Sequence, residues 1–313
     1  MGRSLPALLA VAFLAACVGT EPAPTATSGA TAASVTTVPP TTTTIRSITT
    51  STPVSTSVPD ATVPGDWAEV PVVASAWGVM GWWDGSRWVP AEEDPEVDLR
   101  ADYRLLTLDE DVVAAAGTVG EYCEVEAGGV VPRPELPWGD PDPFPEPALA
   151  LSAGWELGPP VELVDGDPQV YVDEVSRFLS SRGLDVPEPD LAQVLVVDLD
   201  DDGTDEVIIV AEEIAQAPAL FASPGDYAVT LLRSVVDEEV ETSVIDEWVL
   251  AEVDPDEVPF IVSSRVTAVA DLNGDGSAEL ALASAYYEGS GIQIYAYSAS
   301  SGPEAVLGAG CGV

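Results

Sequence analysis

The chain has 313 residues and a formal charge of −44, from ten Lys+Arg against 54 Asp+Glu, and it contains neither histidine nor lysine. A field of that sign repels phosphate backbones and anionic membrane surfaces and favours cations, so nucleic acid is not an expected partner. The missing residue types remove Ser-His-Asp and Cys-His nucleophile pairs, His-rich zinc sites, P-loop lysines and Schiff bases, while 46% hydrophobic content leaves enough apolar surface for a folded core of one or two domains.

Met1-Gly2-Arg3-Ser4 supplies one positive charge, and a short apolar run at 5–13 leads to Leu14-Ala15-Ala16-Cys17. This is the plan of a secretory signal peptide over 1–16. Leu14-Ala15-Ala16-Cys17 resembles the lipobox of bacterial lipoproteins. The resemblance implies diacylglycerol on Cys17 and a mature chain held by lipid on the extracytoplasmic face of the cell membrane, where two or more acyl chains suffice for anchoring. A soluble secreted protein cut near the same point is one alternative; a transmembrane anchor is another, disfavoured by the short apolar run. Residues 17–65 are rich in Thr, Ser and Pro, with Pro39-Pro40 before four threonines. Such composition cannot bury a core and predicts a disordered, extended tether with a reach on the order of 100 Å.

Residues 66–164 hold seven of the eight tryptophans: Trp67, Trp77, Trp82, Trp83, Trp88, Trp138 and Trp155. The run Gly78-Val79-Met80-Gly81-Trp82-Trp83, the turn Asp84-Gly85-Ser86 and Arg87-Trp88-Val89 predict a hairpin, and 103–108 and 119–125 predict further strands of a smaller β region. So many indoles suit either a stacking platform for sugars or peptides or an ordinary aromatic core. Because the hairpin places its rings on both faces, the core is the expectation. Prolines recur between Pro132 and Pro147 too often for a helix or a central strand, which predicts a linker or an irregular wrap. Asp167 as N-cap, Pro168 as the first helical residue, Val172, Val175 and Leu179 at helical spacing and a stop at Gly183 predict one helix over 168–182 that covers the following sheet.

Residues 165–313 carry two copies of one acidic loop. Asp198-Leu199-Asp200-Asp201-Asp202-Gly203-Thr204-Asp205-Glu206 and Asp271-Leu272-Asn273-Gly274-Asp275-Gly276-Ser277-Ala278-Glu279 both read D-x-[DN]-x-D-G-x-x-E. Oxygen side chains at positions one, three, five and nine, with glycine at six for the sharp turn, can converge on one hard cation, for which calcium is the natural candidate. The alternative is an acidic β-turn without metal. An EF-hand would need its glutamate at position twelve, where Ile209 and Leu282 stand, and helices on both sides. Instead, apolar β-branched runs flank the loops, at 193–197 and 207–210 and at 265–270 and 280–283. Two more strands follow in each copy, at 227–233 and 242–249 and at 292–297 and 305–307. The expected ligands are Asp198, Asp200, Asp202, Thr204 and Glu206 for one calcium ion and Asp271, Asn273, Asp275, Ser277 and Glu279 for a second, Thr204 and Ser277 through their carbonyls. The first set offers four carboxylates, and Asp201 and Asp205 add outer negative field, so it is expected to bind more tightly than the second, where the chain's only asparagine replaces one carboxylate.

These loops and their flanking strands resemble the FG-GAP/VCBS-type repeats over roughly the last 120 residues. The resemblance implies a mostly β fold with two blade-like four-stranded repeats. Propellers generally need at least four blades, so the expectation is a partial propeller-like assembly unless the Trp-rich region supplies degenerate blades. Tyr286-Tyr287-Glu288-Gly289-Ser290-Gly291 reads as an exposed recognition loop or as a sheet-end cap. If Cys17 carries lipid, Cys123 and Cys311 remain as an even pair, expected as a disulfide, with two buried free thiols as the alternative. The functional expectation is a non-enzymatic, membrane-anchored, calcium-stabilised scaffold that binds an extracellular protein or glycan. A secreted cell-wall or glycan hydrolase using paired carboxylates is the alternative, and in so acidic a chain the mere abundance of carboxylate does not decide it.

Overall fold

Along the apolar runs side chains alternate between two faces, and both faces find a partner layer. The computed structural model describes residues 65–92, 99–109, 111–115, 118–125, 129–139, 144–215, 222–236, 238–253 and 259–312, all within the unit Ser57–Val313. The signal peptide, Cys17 and the tether up to residue 64 lie outside them. The fold is mostly β, with four antiparallel sheets, none of which closes into a barrel.

The Trp-rich part runs through β1 (Val72–Ser75), β2 (Gly78–Trp83), β3 (Trp88–Pro90), β4 (Asp102–Leu106), β5 (Asp111–Ala115), the hairpin β6 (Val119–Val125) and β7 (Gly129–Pro134), then β8 (Leu149–Leu151) and the two-residue β9 (Glu162–Leu163). β8 inserts between β1 and β4, so the widest sheet has the order β3-β2-β1-β8-β4-β5. The predicted hairpin is β2–β3. Asp84 Oδ1 accepts from the N–H groups of Ser86 and Arg87 at 2.8 and 2.9 Å, and Gly85 supplies φ +91°. Trp77 and Trp82 are buried, and Trp88, Trp138 and Trp155 pack on the core from its rim. The proline tract departs from the expected irregular wrap at its start, because Pro132 and Pro134 lie in β7. Its sheet has only two strands, and such an edge position tolerates a missing N–H.

The helix α1 (Gln169–Ser181) starts one residue later than expected. Pro168, with ψ 124°, is itself the N-cap, and no side chain caps the helix, so Asp167 does not take that role. At the other end Gly183 has φ +87°; its N–H reaches Ser180 O and that of Leu184 reaches Leu179 O, a Schellman termination. β10 (Leu191–Val197), β11 (Glu206–Glu213), β12 (Tyr227–Val236) and β13 (Glu239–Val249) follow as a meander, with β9 added beyond β10. β14 (Ser263–Ala270), β15 (Glu279–Tyr286), β16 (Gly289–Ser298) and β17 (Gly302–Gly312) form a second four-stranded meander. The expected loop at 286–291 is mostly strand, and only Tyr287 and Glu288 turn the chain. Gly289 and Gly291 pair with Gly312 and Gly310, where a Cβ on Gly289 would stand 2.5 Å from Cys311 O; the glycines serve close strand approach.

The layers stack face to face. Val194, Ile209, Val229 and Leu231 meet Val175 and Leu179 of α1. On the other face, Leu195, Val197, Ile208 and Leu232 meet Val266, Leu280 and Leu282. The far face of the β14–β17 sheet, with Ala281, Ala283, Ile292 and Ile294, meets Val73, Met80, Leu149 and Leu151 of the widest sheet. Leu99 and Leu136 cover the last face, over Val72, Tyr103 and Leu105. Each fully buried Leu or Ile contributes about 1.5–3 kcal/mol of transfer free energy. Regions 66–164 and 165–313 therefore share one core.

Candidate metal centre

Both acidic loops join the first two strands of a meander, β10 to β11 and β14 to β15, at the same end of the stack. Position nine is the first residue of β11 or β15. The pleat turns it inward, so Glu206 and Glu279 are each only 3% exposed. Glu206 Oε2 accepts from Leu199 N at 2.9 Å, and Glu279 Oε2 accepts from Leu272 N at 2.8 Å. Each glutamate thus closes its own loop while keeping a second oxygen. The position-one aspartates organise the turn: Asp198 accepts from the N–H groups of Asp202 and Gly203, and Asp271 from those of Gly274, Asp275 and Gly276. Thr204 N and Ser277 N donate to Asp202 and Asp275 at 2.7 and 2.9 Å.

In the first loop, oxygens of Asp198, Asp200 and Glu206 lie within 4.8 Å of one another, about twice a calcium–oxygen distance. Asp200 Oδ1 is buried and has no hydrogen-bond partner among the described residues. Burial raises the Asp200 carboxyl, and the charges of Asp202 and Asp198 raise it further. Burial likewise pushes Glu206 up to about 7, against the Leu199 N–H and with the charges of Asp200, Asp202 and Asp198 adding to it. Asp202 is exposed at the loop rim.

The second loop is satisfied differently. Asn273 Nδ2 donates to Asp275 Oδ2 and Glu279 Oε1 at 3.0 Å each, while its Oδ1 accepts from Asp275 N at 2.8 Å, which sets the amide orientation. Burial drives Glu279 up to about 8, opposed by the Leu272 N–H and reinforced by Asp271 and Asp275. Asp271 is also raised by burial, partly offset by the Gly276 and Gly274 N–H groups. Among the described residues three of the expected carboxylates, Asp198, Asp200 and Glu206, converge in the first loop, and in the second Asn273 links Asp275 to Glu279.

Two residues near the loops carried no local signal. Trp155 Nε1 donates to Asp271 O at 2.9 Å, and its ring lies against Gly274, where a Cβ would be 3.5 Å from Cε2. Its separation of 116 residues from Asp271 hides that pairing from any sequence window. Tyr297, from the neighbouring sheet, has its hydroxyl pKa raised by burial and by the charges of Glu206, Asp200 and Asp202, against a Ser234 hydrogen bond. Elsewhere, Cys311 is disulfide-bonded, as a bond to Cys123 requires, although the Cys123 side chain lies outside the described residues. Two adjoining cavities of about 280 and 420 Å³ share Asp109 and Glu146, both exposed. Trp248, Phe260, Tyr286 and Tyr287 form a row of rings with centroids 5.1, 6.3 and 6.0 Å apart, at the end of the strands away from the acidic loops. No helix among the described residues is long and apolar enough to cross a membrane. Comparison with protein-family models, with curated proteins and with solved structures finds no match.

Proposed function

We propose that this chain is a non-enzymatic, calcium-stabilised scaffold or binding module of the cell surface, held by lipid on Cys17 and built from two blade-like repeats of a partial, propeller-like stack. The observation that carries the metal reading is the converging Asp198, Asp200 and Glu206 carboxylates with the orphaned Asp200 Oδ1. A buried acceptor without a donor is unfavourable by about 1–3 kcal/mol, and a cation satisfies it together with two like-charged neighbours. All-oxygen ligands suit calcium, and a set of several protein oxygens suits it better than magnesium, which dehydrates reluctantly. When bound, calcium supplies the positive charge that neutralises the loop. Asp198 keeps the turn closed, Glu206 ties its base to Leu199, and Asp202 and the Thr204 carbonyl complete the donor set. At the second loop Asp271, Asn273, Asp275, the Ser277 carbonyl and Glu279 take the same parts once the Asn273 amide releases its partners.

The exposed row Phe260, Tyr286 and Tyr287 is the contact face we assign to an extracellular protein or glycan, since large exposed rings are favoured where one surface meets another. Calcium-dependent thermal stability of the full chain, lost in Asp200→Ala, tests the metal reading. A diacylglycerol mass on Cys17, absent in Cys17→Ser, tests the anchor. The second reading, a glycan hydrolase, is favoured only by the cavities that share Asp109 and Glu146; turnover of cell-wall polymer abolished by Glu146→Gln establishes it and displaces the scaffold.

A further inference from the structure

We infer that the two loops are thermodynamically coupled: an ion at the first loop strengthens cation binding at the second, through main-chain atoms of Leu199 and Ala278 that join the two sites. This coupling presupposes the cation reading of both loops and adds a relation between them. Glu206 Oε2 accepts from Leu199 N at 2.9 Å, Leu199 O accepts from Ala278 N at 2.7 Å, and Ala278 precedes Glu279, the buried glutamate of the second loop. Leu199 alone therefore spans the gap between one ligand glutamate and the residue beside the other. Leu199 and Ala278 are each 1% exposed and sit in one apolar cluster with Val269 and Leu280, so water does not compete for the connecting bond.

The sign follows from what an ion fixes. With the first loop empty, Asp198, Asp200, Asp202 and Glu206 repel one another, and the carboxylate that holds Leu199 is itself unneutralised. An ion fixes Glu206, hence Leu199, hence the acceptor for Ala278 N. The second loop then loses less conformational freedom when it binds, which is positive coupling without a large displacement. Repulsion between two divalent ions acts the other way. Each ion's charge, however, is offset by the three or four carboxylates of its own loop, which leaves ordering as the larger effect.

The test is a calorimetric calcium titration of chelator-stripped full chain in three forms: wild type, Asp200→Ala with the first site removed, and Asp275→Ala with the second removed. Coupling predicts that the product of the two wild-type association constants exceeds the product of the single-site constants by at least about fivefold. It also predicts that filling the first site in Asp275→Ala slows hydrogen exchange at the Ala278 amide. Products that agree within about twofold, or a smaller wild-type product, overturn the coupling and leave two independent sites. No binding by wild type overturns the cation reading and the coupling with it. Should a stripped variant fail to fold, Ala278 exchange in wild type decides: protection gained with the first equivalent of calcium supports coupling, and protection gained only with the second overturns it.

Discussion

The two acidic loops share their ligand spacing, a glycine at position six and a buried glutamate at position nine, yet they are satisfied in different ways. In the first, position three is Asp200, whose buried Oδ1 has no partner among the described residues. In the second, position three is Asn273, whose amide donates to Asp275 and Glu279. One loop leaves a buried acceptor open and the other satisfies itself. Hydrogen bonds to charged groups are worth about 1.5–3 kcal/mol, so a second loop that must release two of them and has one carboxylate fewer is expected to be the weaker site. Exchange of one side-chain oxygen for nitrogen separates the pair.

The largest expected effect comes from removing the ion proposed for the first loop. Calcium at 100-fold its Kd stabilises by about 2.7 kcal/mol, so chelation lowers the thermal midpoint by about 5–10 °C for a chain of this size. Asp200→Ala abolishes most of that shift, whereas Asn273→Ala leaves most of it; equal losses in the two variants would break the comparison. The pH dependence follows next. Glu206 and Glu279, at about 7 and 8 in the fold, lie above the unfolded value near 4.3. Raised carboxylates contribute stability that is complete below the unfolded pKa and is lost as pH rises through the folded one. In chelator the midpoint therefore falls between pH 5 and 8, by a loss on the order of 4–5 kcal/mol per carboxylate at most. Calcium requires the ionised forms, so in its presence the fall is cancelled or reversed over the same range. Melting curves that stay parallel with and without calcium would contradict this.

Smaller changes sharpen the contrast. Trp155→Ala removes the ring over Gly274 and the bond to Asp271 O, and should lower stability by about 2 kcal/mol while weakening the second site alone. Asn273→Asp gives the second loop the charge of the first. Calcium affinity there should rise about tenfold, and the ion-free protein should lose about 1 kcal/mol as two internal hydrogen bonds become a repulsion. Chemical denaturation in chelator and in calcium measures both signs in one experiment.

The local parts of this arrangement were legible in the sequence because they depend on neighbours along the chain. The strand-loop-strand units, the Asp84-Gly85 turn, the Gly183 stop and the position-nine glutamates all follow from spacing within a dozen residues. What was hidden depends on distant partners. β8 is three residues long, and nothing in Leu149–Leu151 says that it lies between β1 and β4. β9 adds a fifth strand with only Glu162–Leu163, too short to show a period. The glycines at 289 and 291 look like loop residues until β17 is laid against them. In the second loop, the spacing named Asn273 as a ligand but could not show that its amide joins Asp275 to Glu279, since that depends on one rotamer among charged neighbours.

Calorimetric titration of chelator-stripped protein with calcium decides between the two loops. The expected isotherm has a tight site that disappears in Asp200→Ala and a weaker site that disappears in Asn273→Ala. No heat of binding, or a tight site lost on Asn273→Ala and kept in Asp200→Ala, would contradict the assignment of the first loop as the cation site.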